Sequence, residues 1–371
     1  MRILFTGGSS GGHLFPIIAV ARQLKKIYAS DKNNLEMFFL GAGQFSKNIL
    51  EQEGILVKTI LAGKLRRYFS FKNFFDLLKI PFGLIKSLVY VYIWMPNIIF
   101  SKGGYDGLPV VFVGWLYRIP ILIHESDTVP GLANKLSSKF AKKIGVSFSS
   151  AEKYFSQKKT ALIGNPIRAK IIKRCILENE EEKQEIRSIF NITSQRPIIL
   201  ILGGSQGAEK LNHLILLTMP QLLEKYEIIH QSGSKKYESI KAKSIQSSNY
   251  HLFPFLDEDQ ISNAYYISNL VISRAGSGSI CEIAICGKPS ILIPLPESAG
   301  DHQRQNALTY AKSGSAVILE QFNLTPHLLF NEIKKIMDNE ELYRKMADNA
   351  KNFSRPEATQ KIVEELLGLV E

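Results

Sequence analysis

The chain has 371 residues, of which 45% are hydrophobic, 22% charged and 10% aromatic. That length exceeds what one hydrophobic core organises and predicts two domains, and the composition excludes disorder, collagen and coiled coil. Lysine plus arginine outnumber aspartate plus glutamate by 46 to 34, a net charge of +12, which favours polyanions, phosphates or an anionic membrane surface without choosing among them.

Arg2 to Phe5 reads as a buried strand and Gly7 to Gly12 as a glycine turn. Leu14, Ile17, Ile18, Ala21 and Leu24 then recur at helical spacing. The apolar segment starts at once and leaves no room for a secretory h-region, so export is not expected. Between Lys64 and Lys86, Arg66, Arg67, Lys72 and Lys79 are interleaved with Tyr68, Phe69, Phe71, Phe74 and Phe75, and Asp76 is the one acid. Such a mixture suits an anionic lipid surface; nucleic-acid binding and core packing are the competing readings. The apolar window from Ile80 to Phe100 contains Pro81, Lys86 and Pro96, so it is expected to seek a surface rather than span a membrane.

Asn97 to Phe100, Pro120 to Ile123 and Thr160 to Ile163 are further strand candidates alternating with helical stretches, the pattern of a parallel sheet wrapped by helices. Gly164-Asn165-Pro166 marks a junction, and the acidic run Glu178 to Glu185 reads as a solvated helix face. Pro197 to Leu202, followed by Gly203-Gly204-Ser205-Gln206-Gly207 and a helical pattern, starts the chain a second time. Glu227 to His230, Tyr250 to Pro254, Leu270 to Ser273 and Ser290 to Ile293 continue it. The tail carries Ile362, Val363, Leu366 and Leu367 on one helical face, which must dock somewhere. The three cysteines, Cys175, Cys281 and Cys286, form neither an even framework nor Cys-x-x-Cys. They predict no disulfide, no thiolate zinc site and a reducing, cytosolic compartment.

Two loops carry the chemistry. Gly7-Gly8-Ser9-Ser10-Gly11-Gly12-His13 puts backbone amides and a helix N-terminus where an oxyanion can bind. It is neither the usual Gly-x-Gly-x-x-Gly nor a P-loop. His13, at the mouth of that helix, either caps the turn or accepts a hydroxyl proton near neutral pH. Ser273 to Glu282 repeats the arrangement, with amides that can hold a diphosphate. Spacing alone divides Glu282 equally between a capping box with Ser279 and ribose binding. Asp257-Glu258-Asp259 satisfies Asp-x-Asp, but Asp257 is placed to cap a helix, and no histidine or glutamate cluster supplies further metal ligands.

Together with Gly103-Gly104-Tyr105, His124-Glu125, Gly131-Leu132, Asn134-Lys135, Gly164 to Arg168, Asp301-His302-Gln303 and Asn306-Ala307, these motifs resemble the MurG family of peptidoglycan glycosyltransferases over nearly the whole chain. The resemblance implies an α/β GT-B glycosyltransferase fold with two Rossmann-like domains facing a cleft. Residues 1–165 would be the acceptor- and membrane-facing domain, 166–352 the UDP-GlcNAc-binding domain, and a helix at 353–371 would dock back on the first. It implies inverting transfer of GlcNAc from UDP-GlcNAc to the C4 hydroxyl of MurNAc in undecaprenyl-diphospho-MurNAc-pentapeptide (lipid I to lipid II). No tightly bound cofactor, metal or nucleic-acid partner is implied, and the setting would be peripheral, on the cytoplasmic face of the bacterial plasma membrane.

By the same resemblance His13 is the candidate base, and Ser10, Gly11 and Gly12 line the reacting centre. Leu256 contacts uracil, Glu282 the ribose, and Arg168, Ser205, Ser277, Gly278, Ser279, Ile280 and Cys281 surround the diphosphate. Gln303 reaches the sugar. Arg66, Arg67, Lys72, Phe74, Phe75, Lys79 and Phe82 would meet acceptor and membrane. The chain departs from the family pattern at the doubled Ser9-Ser10, and at Ser126-Asp127, where the family has Gln-Asn. An ionised Asp127 beside the sugar accepts hydrogen bonds but cannot donate them.

Overall fold

The structure is a computed structural model that describes residues 1–8, 11–29, 34–41, 47–61, 63, 71–176, 180–203 and 209–370, and of 71–78, 180 and 299 the backbone alone. The chain divides into two units, Met1–Ile167 with Pro356–Glu371, and Arg168–Arg355. The first boundary thus follows Ile167 rather than residue 165, and the return falls at Pro356 rather than at 353.

In the first unit the strands are β1 (Arg2–Thr6), β2 (Glu36–Gly41), β3 (Leu56–Thr59), β4 (Ile98–Ser101), β5 (Ile121–Glu125), β6 (Lys143–Val146) and β7 (Thr160–Leu162). They form a parallel sheet in the order β3-β2-β1-β4-β5-β6-β7, the doubly wound order of a Rossmann fold. Its helices are α1 (Gly11–Ile27), α2 (Lys47–Gln52), α3 (Phe71–Trp94), α4 (Leu108–Leu116) and α5 (Leu132–Ser137). Strand residues alternate between two cores. Ile3 and Phe5 face α1, while Leu4 and Ile99 face Val91 and Trp94 of α3 and Val110 of α4. Pro81 lies inside α3 and does not end it.

The second unit opens with α6 (Ala169–Ile176) and α7 (Glu180–Ile189), the latter taking up most of the acidic run with Ile186 turned inward. Its strands are β8 (Ile198–Leu202), β9 (Glu227–Gln231), β10 (Tyr250–Phe253), β11 (Leu270–Ser273), β12 (Ser290–Leu292) and β13 (Ala316–Ile318). They are again parallel, in the order β10-β9-β8-β11-β12-β13. Around them lie α8 (Glu209–Leu222), α9 (Tyr237–Lys243), α10 (Glu258–Ile267), α11 (Ser277–Ile285), α12 (His302–Ala311), α13 (Pro326–Met337) and α14 (Glu340–Phe353). The last helix, α15 (Ala358–Leu367), belongs to the first unit and packs on α1.

One expectation fails. Cys175 of α6 and Cys286, the C-cap of α11, are disulfide-bonded, with Cα atoms 4.8 Å apart, and Cys281 takes no part in a disulfide. The pairing arises because α6 packs beside α11, bringing together residues 111 apart in sequence. Linear spacing carries no trace of that contact.

The docking of α15 rests on burial. Ile362, Val363 and Leu366 enter the core with Ile17, Leu24 and Phe39, each stabilising by about 1.5–3 kcal/mol. The partly exposed Lys143–Glu365 ion pair contributes at most about 1 kcal/mol. Ile362→Ala is therefore expected to lower unfolding stability by about 2–5 kcal/mol in a urea titration, and Lys143→Ala by less than about 1 kcal/mol. The reverse ranking would contradict this account.

Candidate functional site

In the second unit β11 ends at Ser273 and the chain turns through Arg274, Ala275 and Gly276 into α11. The turn is fixed from beneath: the Arg274 guanidinium donates to the carbonyls of Ile293 (3.0 Å) and Pro294 (3.2 Å) and to Oε1 of Gln321 (2.7 Å). The N-cap residue is Gly276, which has no side chain to offer, and the space where its Cβ would stand is open. The first i−4 bond of the helix runs from Ile280 N–H to the Gly276 carbonyl (3.0 Å). The amides of Ser277, Gly278 and Ser279 therefore precede any helical acceptor, the arrangement that binds anions at helix N-termini.

Glu282 lies further along α11, one and a half turns past the N-cap, so it does not close a capping box. Its buried carboxylate faces Arg168, the residue before α6. Nε and Nη2 donate to Oε1 at 2.9 and 2.7 Å, and Nη2 also reaches Oε2 at 2.8 Å. The Tyr265 hydroxyl donates to Oε2 at 3.3 Å. Burial, the largest single influence, works to lower the Arg168 pKa, but the Glu282 charge and hydrogen bonds together with the Tyr265 and Glu258 charges outweigh it, and the net displacement is upward. Burial, reinforced by Glu282, holds the Tyr265 phenol well above its ordinary range. Both carboxylate oxygens are occupied, so a ligand hydroxyl arriving at Glu282 competes with the guanidinium.

Leu256 is buried, and its N–H donates to Oε1 of Gln231 (3.0 Å). Asp257 caps α10 in a reciprocal box with Gln260, and Asp259 pairs with Lys170. Gln303, in the first turn of α12, accepts from Leu295 N–H (3.0 Å) through Oε1, which turns its NH₂ end to donation. Cys281 is partly buried in the second turn of α11.

In the first unit Gly11, Gly12 and His13 form the first turn of α1. The His13 Nδ1 lies 2.9 Å from the Lys102 carbonyl. A carbonyl can only accept, so Nδ1 carries a proton, and in the neutral ring the lone pair is then on Nε2. A Cβ on Gly8 would meet the imidazole at 3.3 Å, so glycine keeps that face of the ring clear. Gly103 and Gly104 have φ of +80° and +89°, and a Cβ on Gly103 would fall 2.2 Å from Asn134 Oδ1; only glycine fits.

Sequence reasoning missed Lys102, which is 2% exposed. Its ammonium donates to His124 Nδ1 (2.6 Å) and to Ser126 Oγ (2.5 Å), and lies 3.5 Å from Asn165 Oδ1. Burial, and then the Lys102 charge, hold the His124 imidazole well below its ordinary range, so it is neutral and donates from Nε2 to the Gly164 carbonyl (2.8 Å). Glu125 accepts from the Asp127 amide (2.9 Å) and from Asn134 Nδ2 (2.7 Å). Burial, and then the Asp127 carboxylate, push Glu125 up from 4.5 to about 7. A signal for Lys102 was present: a cation directly after a strand and directly before Gly103-Gly104.

The same unit carries an exposed apolar face. Phe82, at 60% exposure, and Ile85, Val89, Tyr92 and Ile93 of α3 point outward, while Val91 and Trp94 of the same helix are buried. Tyr92 meets Tyr117 at the end of α4 (6.5 Å between ring centroids), which extends the face to Trp115 and Leu116. A helix apolar on both sides has a second apolar partner to meet. Lys79 and Lys86 are exposed along it. Among the described residues no helix is long and apolar enough to cross a membrane. Ser10, Ser205, Arg66 and Arg67, and the side chains of Lys72, Phe74 and Phe75, lie outside the described residues.

The raised Glu125 pKa has a measurable consequence. Folded protein keeps the proton that unfolded chain loses above 4.5, so this group's contribution to stability falls as pH climbs from 4.5 to about 7 and then levels. In urea titrations over that range Glu125→Gln is expected to flatten the decline. An unchanged slope would contradict the assignment.

The Glycosyltransferase family 28 N-terminal domain matches residues 3–146 and the family 28 C-terminal domain residues 198–362. A Bacillus cereus protein named UDP-N-acetylglucosamine–N-acetylmuramyl-(pentapeptide) pyrophosphoryl-undecaprenol N-acetylglucosamine transferase 2 is 35% identical over 98% of this chain and 99% of its own. A Borrelia hermsii transferase with the same name, without the number, is 35% identical over 99% and 96%. Among solved structures, MurG of Acinetobacter baumannii superposes with a TM-score of 0.76 at 26% identity, covering 99% of this chain and 100% of that one. The UDP-GlcNAc 2-epimerase of Neisseria meningitidis, bound to UDP-GlcNAc, shares the fold alone, with a TM-score of 0.68, 13% identity and coverage of 99% and 100%. With both family domains matched in order and relatives aligned end to end, the chain belongs to the MurG family of family 28 glycosyltransferases.

Proposed function

We propose that this chain transfers N-acetylglucosamine from UDP-GlcNAc to the C4 hydroxyl of MurNAc in undecaprenyl-diphospho-MurNAc-pentapeptide, with inversion, at the cytoplasmic face of the plasma membrane. The names of the relatives support the reaction. The observation that carries the donor half is the buried Glu282 carboxylate, oriented by Arg168 and Tyr265, on the helix whose first three amides have no capping side chain. Glu282 takes the ribose hydroxyls, the Leu256 carbonyl the uracil, and the amides of Ser277, Gly278 and Ser279 the diphosphate. The NH₂ end of Gln303 donates to the sugar.

The acceptor half rests on His13. Its Nε2 accepts the proton of the attacking hydroxyl while Nδ1–H stays on the Lys102 carbonyl, which orients the ring. Attack on the anomeric carbon opposite the departing UDP gives inversion in one displacement with no covalent enzyme intermediate. The α11 dipole and amides take the charge that develops on the diphosphate, worth about 0.3–1 kcal/mol per charge and up to about 2 when partly buried. In this reading they do what a metal does elsewhere, since Asp257 is spent on its helix cap.

The apolar face of α3 and α4, rimmed by Lys79 and Lys86, would rest on anionic lipid. Each such cation is worth about 1 kcal/mol there. That face lies further along α3 than Phe74 and Phe75, and it favours a lipid-linked acceptor over the soluble chemistry of an epimerase.

The test supplies UDP-GlcNAc and a lipid I analogue and follows UDP release and disaccharide formation. Wild-type protein is expected to yield both in equal amounts. His13→Ala should lower kcat by about 100- to 10,000-fold with UDP affinity unchanged. UDP release without disaccharide would overturn the transfer reading, and undiminished turnover in His13→Ala would remove His13 from the base role.

A further inference from the structure

The disulfide joins the two elements that carry the Arg168–Glu282 pair. Arg168 accepts the amides of Ile171 and Ile172 at the start of α6 (3.1 and 3.4 Å). Cys175 follows seven residues later, two helical turns on and on the same face. On α11, Glu282 and Cys286 are four residues apart, one turn, and the Cys286 N–H donates to the Glu282 carbonyl (3.2 Å). Ion pair and disulfide thus lie along one seam between α6 and α11. The helix α6 also packs on α10, so opening the disulfide loosens the seam without releasing the helix.

We propose that Cys175–Cys286 is a thiol–disulfide switch on the nucleotide site: closed, it holds Arg168 on Glu282, and opened by reduction it lets Glu282 exchange Arg168 for ribose hydroxyls. The inference rests on the donor-site reading above. A disulfide in a protein working at a reducing face is more often a redox sensor than a staple, and accessibility here suits exchange. Cys175 is half-buried and Cys286 only 6% exposed, so Cys175 is the more exposed of the two and the one an external reagent would meet first.

Closure proceeds by exchange with a small-molecule disulfide such as glutathione disulfide. The Cys175 thiolate attacks one of its sulfurs and expels the first small thiol, forming a mixed disulfide. The Cys286 thiolate then attacks Cys175 Sγ and expels the second. Two electrons pass from the protein to the reagent, two protein S–H bonds give way to one S–S bond, and the two protons leave on two small thiols. Opening is the reverse.

The experiment titrates full-length protein with UDP after oxidation by glutathione disulfide and after reduction by dithiothreitol, with free thiols counted in each state. Three thiols are expected when reduced and one when oxidised. The reduced form should bind UDP about fivefold more tightly, the lower end of ordinary coupling between sites. By reciprocity, saturating UDP should raise the reduction midpoint by about 20 mV, that fivefold factor for a two-electron couple. Cys175→Ser should bind like the reduced protein in both buffers. Equal affinities, tighter binding by the oxidised form, or three thiols persisting after oxidation would each overturn the switch alone. Absence of UDP binding in both states would overturn the donor-site reading and the switch with it.

Discussion

A carboxylate taken out of water must be matched by a positive charge or surrender its own, and the second unit is organised around one such match. Glu282 is buried on α11, and the Arg168 guanidinium answers it with three contacts between 2.7 and 2.9 Å. Removing one partner of a buried pair costs about 3–5 kcal/mol, so the pair fixes where α6 starts relative to α11. The same carboxylate sits on the helix whose N-cap, Gly276, offers its first amides no side-chain acceptor. Structure and chemistry share one interaction.

The first unit solves a related problem with the opposite sign. Lys102 brings a buried ammonium into the ends of β4 and β5, where His124 and Ser126 take its hydrogens and Asn165 stands close by. Its carbonyl, in the same residue, fixes the His13 tautomer. In both units a parallel strand ends in a glycine-bearing turn that delivers a helix N-terminus. That construction follows from the topology, since parallel strands expose their carboxyl ends, the turns and the helix starts on one edge of each sheet.

Much of this was legible because buried parallel strands write themselves as apolar runs. Arg2 to Phe5, Pro197 to Leu202 and Leu270 to Ser273 are such runs, and the structure has β1, β8 and β11 there. Burial alone does not decide legibility: of the edge strands, β7 and β10 were read while β3 and β13, which bury Val57 and Ala316 alone, were not, and the interior β2 and β6 also went unread. The helix cap at Asp257 was legible because a cap is local. The partner of Glu282 was not, since spacing within α11 cannot reveal that Arg168 stands opposite. The Cys175–Cys286 bond and the buried Lys102 escaped for the same reason, as each depends on which elements pack together.

The most direct measurement compares UDP with 2′,3′-dideoxy-UDP as ligands for wild-type protein and for Glu282→Ala, taking the ratio of affinities so that any general loss in the variant cancels. Hydrogen bonds from ribose hydroxyls to a charged carboxylate should favour UDP by about tenfold or more in the wild type, and the preference should vanish in Glu282→Ala. A preference that survives the substitution, or its absence from the wild type, would contradict the account.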